Sequence, residues 1–112
     1  MSITKESVVE KMKGTDSILL SVLPAEEFLK LHILGSYNIP LQEDGKIFVQ
    51  EVMDRFGKDK FFITYASNIT SRASIDAAEA LQGAGIHAEA YLSGMREWSQ
   101  GGLPTEGTLA KV

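Results

Sequence analysis

The 112-residue chain contains no cysteine. That absence excludes disulfides, cysteine-ligated zinc, iron–sulfur clusters and thiol catalysis by the chain as written. Histidine is almost as scarce. His32 and His87 lie far apart and have no metal-ligand spacing, so no resident metal and no cofactor is expected. No run approaches the roughly 18 consecutive apolar residues of a membrane span. An excess of positive charge is also missing. The formal net charge is −4 and Lys and Arg are scattered, which gives nucleic acid or an acidic membrane surface no footing. The opening MSITKESVVEKMKG is polar and amphipathic, without the apolar centre of a signal peptide, and a cytoplasmic location is the default expectation. No glycines fall at GxGxxG or Walker spacing.

What is present suits one soluble domain over 1–112. Hydrophobic residues make up 44% and charged residues 23%, ordinary for a globular chain. A domain of this size can bury roughly two-thirds of its unfolded surface. No repeat, low-complexity tract or linker interrupts it.

The segments alternate in period. ITKESVVEKMKG reads as a helix with Thr4 as N-cap and Gly14 as a stop. SILLSV (17–22) is a short buried strand. PAEEFLKLH (24–32) reads as a helix opened by Pro24 with Glu26 and Glu27 in its first turn. SYNIP (36–40) is a short strand ended by Pro40. IFVQEVMDRFG (47–57) puts Val49, Val52, Met53 and Phe56 on one helical face, with Gly57 ending it. KFFITY (60–65) is the most apolar strand; SIDAAEALQGAG (74–85) is an Ala-rich helix; AEAYL (88–92) is another strand; GMREWSQGG (94–102) is a short helix and loop. Strands alternating with helices imply a parallel sheet covered on both faces.

Ligands of such sheets sit at the carboxyl ends of the strands. The loops after Val22, Tyr65 and Leu92 are therefore the ones to watch. After Tyr65 comes Ala66, then Ser67, Asn68, Ile69, Thr70, Ser71 and Arg72, ahead of a helix. Helix N-termini present unpaired N–H groups that favour anions, and Arg72 could add a forked donor. The plain alternatives are N-cap hydroxyls and a solvated arginine.

The order of motifs resembles a rhodanese-like domain. Glu27-Phe28, His32, Gly35-Ser36, Asn38, Ile39 and Pro40 match the first half of the family pattern, and Leu92, Gly94, Trp98, Gly102, Leu103 and Pro104 match its ending. The likeness spans about residues 3–106. It implies an α/β fold with a central parallel five-stranded sheet and helices on both faces. It also implies a sulfurtransferase ancestry, in which a cysteine at the strand–loop junction accepts sulfane sulfur from thiosulfate or a persulfide. By the resemblance that position is Ala66, whose methyl can neither attack sulfur nor carry it.

The family's Asp and Arg of the preceding strand end fall on Ser21 and Leu23, and Met95 stands where a second glycine is usual. Losing both members of a charged pair is tolerable, whereas losing one is costly if buried.

Three readings follow. The first is a non-catalytic module that binds a small anion or a sulfur-carrier or other partner protein through residues 67–72. The second is a sulfurtransferase whose active-site cysteine has been replaced by alanine. The third is a half-site served by a partner's thiol. Arg72 follows Ala66 by six positions, as in the longer loop of phosphatase-like relatives, but neither a nucleophile nor an Asp acid accompanies it. A hydroxyl nucleophile at Ser67, Thr70 or Ser71 would need a base beside it. His32 reads instead as a turn-stabilising hydrogen bonder, and Trp98 as a filler between the last helix and the sheet with its N–H satisfied nearby.

Overall fold

The computed structural model describes residues 2–67 and 70–108. Four parallel strands form the central sheet: β1 (Ser17–Ser21), β3 (Tyr37–Asn38), β4 (Phe61–Tyr65) and β5 (Ala88–Tyr91), in the spatial order β3-β1-β4-β5. β1 and β4 pair along their whole length, from Ser17 beside Phe61 to Ser21 beside Tyr65. Both are buried on two faces, which explains why SILLS and FFITY read as apolar runs rather than alternating ones.

The period-two alternation of strands sorts their side chains into two cores. Leu20, Val22, Phe62, Ala66, Ala88 and Ala90 pack under α3 (Gly45–Phe56) and α4 (Ala73–Gly83), whose Phe48, Val52, Ala77, Ala78 and Leu81 are buried. Leu19, Ile63, Tyr65 and Tyr91 face α1 (Lys5–Met12) and α5 (Gly94–Gln100), meeting Val8, Met95 and Trp98. The helices therefore cover both faces, as the alternation of segments implies.

The fifth place in the sheet is taken by one bridge. Ser2 pairs in parallel with Ala90, and the Ile3 N–H donates to the Ala90 carbonyl at 3.0 Å. Thr4 then caps α1, its Oγ1 accepting the Ser7 N–H at 3.1 Å, so the chain turns helical before a full strand can form. The sheet edges are covered by side chains. The Arg55 guanidinium donates to the Asn38 carbonyl at 3.1 Å and the Gln82 amide to the Ala88 carbonyl at 2.7 Å. Such capping discourages edge-to-edge association.

Several boundaries differ from the sequence reading. The helix expected over 24–32 is α2 (Ala25–Lys30); Leu31 is extended, and His32–Ile33 form β2, which pairs antiparallel with β6 (Thr105–Glu106). Two-residue strands carry no periodicity, so the sequence holds no signal for them. α3 begins at Gly45 rather than 47, because the Asp44 side chain caps it by accepting the Lys46 N–H at 2.9 Å. Its innermost residues are Phe48 and Val52, while Val49, Met53 and Phe56 are half-buried.

Candidate functional site

The loop after β4 begins at Ala66, which is buried at 2% exposure. Two backbone hydrogen bonds fasten it to α5. The Met95 N–H donates to the Ala66 carbonyl at 3.0 Å, and the Arg96 N–H to the Ser67 carbonyl at 2.8 Å. These bonds bring the helix start so close that a Cβ on residue 94 would collide with the Ala66 carbonyl oxygen. Gly94 also has φ +60°. The single glycine kept from a usually doubled pair is thus the one that the close approach requires.

On the loop's far side, Thr64 ties β4 to α4, its Oγ1 donating to the Ser74 carbonyl at 2.7 Å. The Ser74 hydroxyl itself is buried and has no hydrogen-bond partner among the described residues. Of the expected anion-binding residues, Ser67 and Thr70 are exposed, and Ser71 is half-buried with its Oγ accepting the Ala73 N–H at 3.3 Å. Arg72 is exposed just ahead of α4 and lies 3.6 Å from the Asp76 carboxylate. Asn68 and Ile69 lie outside the described residues.

Tyr65 anchors the floor beneath the loop. Its hydroxyl accepts the Ile33 N–H at 3.0 Å. The Ser36 hydroxyl donates to the Ile33 carbonyl at 2.6 Å, which leaves the Ser36 oxygen to accept from Tyr65 at 2.8 Å. Burial pushes the Tyr65 phenol above its ordinary value, and its hydrogen bonds with Ser36 and Ile33 offset part of that rise.

Neutral groups hold the turn after β1. The Ser21 hydroxyl accepts the Leu23 N–H at 3.3 Å, and the Asn38 amide donates to the Ser21 and Leu23 carbonyls at 3.1 and 2.9 Å. Leu23 packs half-buried against the first core. No charge is stranded there, so serine and leucine fit this turn without a buried ion pair.

His32 is engaged in structure, as the sequence reading expects: its Nδ1 lies 2.7 Å from the Phe28 carbonyl and its ring stacks on Phe28 at 3.8 Å. The Trp98 indole N–H donates to the Pro104 carbonyl at 2.8 Å. Sequence reasoning missed Thr64, Tyr65 and Ser74 as supports of the loop. The hydroxyl of Thr64 inside an otherwise apolar FFITY is the signal that could have flagged it.

Among the described residues no group of three or more His, Asp or Glu is placed to hold a metal ion, and no helix is long and apolar enough to cross a membrane. Two open surface grooves lie away from the loop. One, of about 620 Å³, lies at the base of β4 and β5 beside Lys11, Phe61 and His87. The other, of about 670 Å³, runs between α3 and α4 over Val49, Met53 and Ala80.

A central parallel strand that ends in a loop, a helix that starts from that loop, and a second helix clamped to its carbonyls define a small α/β domain with its candidate site at the carboxyl edge of the sheet. The chain belongs to the rhodanese-like domain family, whose profile matches residues 4–101. It is 27% identical over 108 residues to an HTH-type transcriptional regulator of Mycobacterium tuberculosis, a match covering 94% of this chain. The chain spans 44% of that relative's length.

Among solved structures, a Bacillus halodurans protein superposes with a TM-score of 0.82 at 24% identity, over 96% of this chain and 77% of that one. A rhodanese-like domain from Anabaena sp. gives 0.80 at 19% identity, over 96% and 80%. A rhodanese-related protein of Thermoplasma volcanium gives 0.76 at 24% identity, over 97% and 98%. These likenesses bear on the fold.

Proposed function

We propose that this is a non-catalytic rhodanese-like module, with Ala66 at the position where sulfurtransferases of the family carry their cysteine. The observation that carries the reading is the pairing of a loop start still clamped to α5 through Ala66 and Ser67 with a sequence that holds no cysteine. Sulfur transfer needs a thiolate that attacks and then holds a persulfide. A methyl group offers neither lone pair nor charge.

What the loop retains is its capacity to bind. α4 is long enough to present unpaired N–H groups. Arg72 stands at its start, tied among the described residues to Asp76 across solvent, an ion pair of less than about 1 kcal/mol that a ligand can displace. A small oxyanion, or an acidic group on a partner such as a sulfur-carrier protein, is the chemistry that fits. We assign the module to the whole of 1–112, with its core at about 3–106, and to the cytoplasm.

Two measurements test the proposal. The chain should show no thiosulfate-to-cyanide sulfur transfer above background, and turnover would sink the non-catalytic reading. A sulfate titration followed by amide chemical shifts should move Ser67 and Thr70–Ala73, and Arg72→Ala should weaken the effect. Shifts spread evenly over the surface would remove the anion site.

The second reading, a sulfurtransferase with its cysteine replaced by alanine, is favoured by the clamp of Gly94, Met95 and Arg96, which would serve a nucleophile at 66 equally well.

A further inference from the structure

The C-terminal segment is strapped across α2 and β2. The Pro104 carbonyl accepts both the Leu34 N–H at 3.1 Å and the Trp98 indole, β6 pairs with β2, and the Thr108 N–H donates to the Leu29 carbonyl at 3.1 Å. The approach is close enough that a Cβ on Gly107 would collide with the Lys30 carbonyl. At the centre of the strap His32 is held between two acceptors. Nδ1 lies 2.7 Å from the Phe28 carbonyl and Nε2 lies 3.2 Å from a Glu106 carboxylate oxygen.

A neutral imidazole has one N–H and can satisfy only one of them. If that proton sits on Nδ1, the Nε2 lone pair faces a carboxylate oxygen. Only the imidazolium donates to both. We propose that His32 and Glu106 form a proton-operated clasp that fastens β6 to β2, tight in acid and loosened as the imidazole loses its proton.

The surroundings leave Glu106 as the carboxylate that decides the matter. β2 is packed by β6, α2 and α5. β6 contributes Glu106. α2 contributes Glu26, Glu27 and Lys30, none within ion-pair distance of the ring. α5 contributes Arg96, whose backbone is tied to the loop, and Glu97, which already accepts the Tyr91 hydroxyl at 2.6 Å. The clasp borders the candidate site, because the Ile33 N–H next to His32 bonds to Tyr65, the residue before Ala66.

The test is amide hydrogen exchange at Thr108, expressed as a protection factor so that the intrinsic pH dependence of exchange cancels. Protection should fall roughly three- to tenfold between pH 5.5 and pH 8, the scale of a partly exposed charge-assisted pair. In Glu106→Gln, whose amide can pair with either form of the ring, the fall should vanish. In His87→Gln it should persist. Flat protection in the parent, or a transition that survives Glu106→Gln, would each overturn the clasp.

Discussion

Gly94→Ala is expected to be among the most damaging single substitutions in this chain, although it adds only one methyl group. Residue 94 sits at φ +60°, where an L-residue pays about 1–2 kcal/mol. The new Cβ would also press on the Ala66 carbonyl oxygen and on the Ser67 backbone, neither of which is a flexible side-chain tip. Relief requires α5 to back away, which weakens the Met95–Ala66 and Arg96–Ser67 hydrogen bonds, worth about 1 kcal/mol each. The sum is about 3–4 kcal/mol, a large share of the roughly 5–15 kcal/mol that holds a domain together.

Gly85→Ala provides the matched control. Gly85 also has positive φ, at +80°, but an added Cβ there meets nothing within 4 Å, so only the conformational cost of about 1–2 kcal/mol applies. Urea denaturation of both variants, compared at a common m-value, measures the difference. Equal losses in the two would refute the claim that close approach to the loop is what demands glycine at 94.

Other consequences follow from the same geometry. Tyr65→Phe removes the acceptor of the buried Ile33 N–H and the donor to Ser36; it should cost about 1–3 kcal/mol in urea unfolding, and a loss below about 0.5 kcal/mol would mean that water replaces the hydroxyl. Ser74→Ala removes a buried hydroxyl with no partner among the described residues and should leave thermal stability unchanged or raise it by up to about 1 kcal/mol; a clear destabilisation would reveal a partner for that oxygen. Alkaline unfolding should be steep. Burial raises both Tyr65 and Tyr91 above the ordinary 10.0, and for Tyr91 the neighbouring Glu97 adds to the rise. The folded state therefore keeps protons that the unfolded chain releases, so stability is intact below pH 10 and drains away as pH climbs beyond it. Tyr91→Phe should flatten that decline, and an unchanged slope would contradict the assignment.

The parallel sheet was legible because its central strands are apolar runs separated by helical periods, and because Gly, Pro and Asn punctuate the turns between them. Ala66 at the end of β4 was legible for the same reason: FFITY stops where polar residues begin. The supports of the loop were harder to see. Nothing local in the sequence links Gly94 to the Ala66 carbonyl or Tyr65 to Ile33, since these are contacts between segments about thirty residues apart. The β2–β6 pair was invisible because two-residue strands leave no pattern, and with it the His32–Glu106 contact across the chain. The helix expected through His32 erred because Leu31 is pulled extended by that pairing, a tertiary effect that overrides local propensity.

The most direct test of the account restores the thiol. Ala66→Cys, treated with thiosulfate and examined by intact mass, should gain one sulfur atom as a persulfide and release it to cyanide, while the chain as written gains none. Sulfur loading on the unsubstituted chain, or an Ala66→Cys variant that folds yet stays unmodified while its thiol reacts freely with alkylating agents, would contradict the assignment of residue 66 to the sulfur-carrying position.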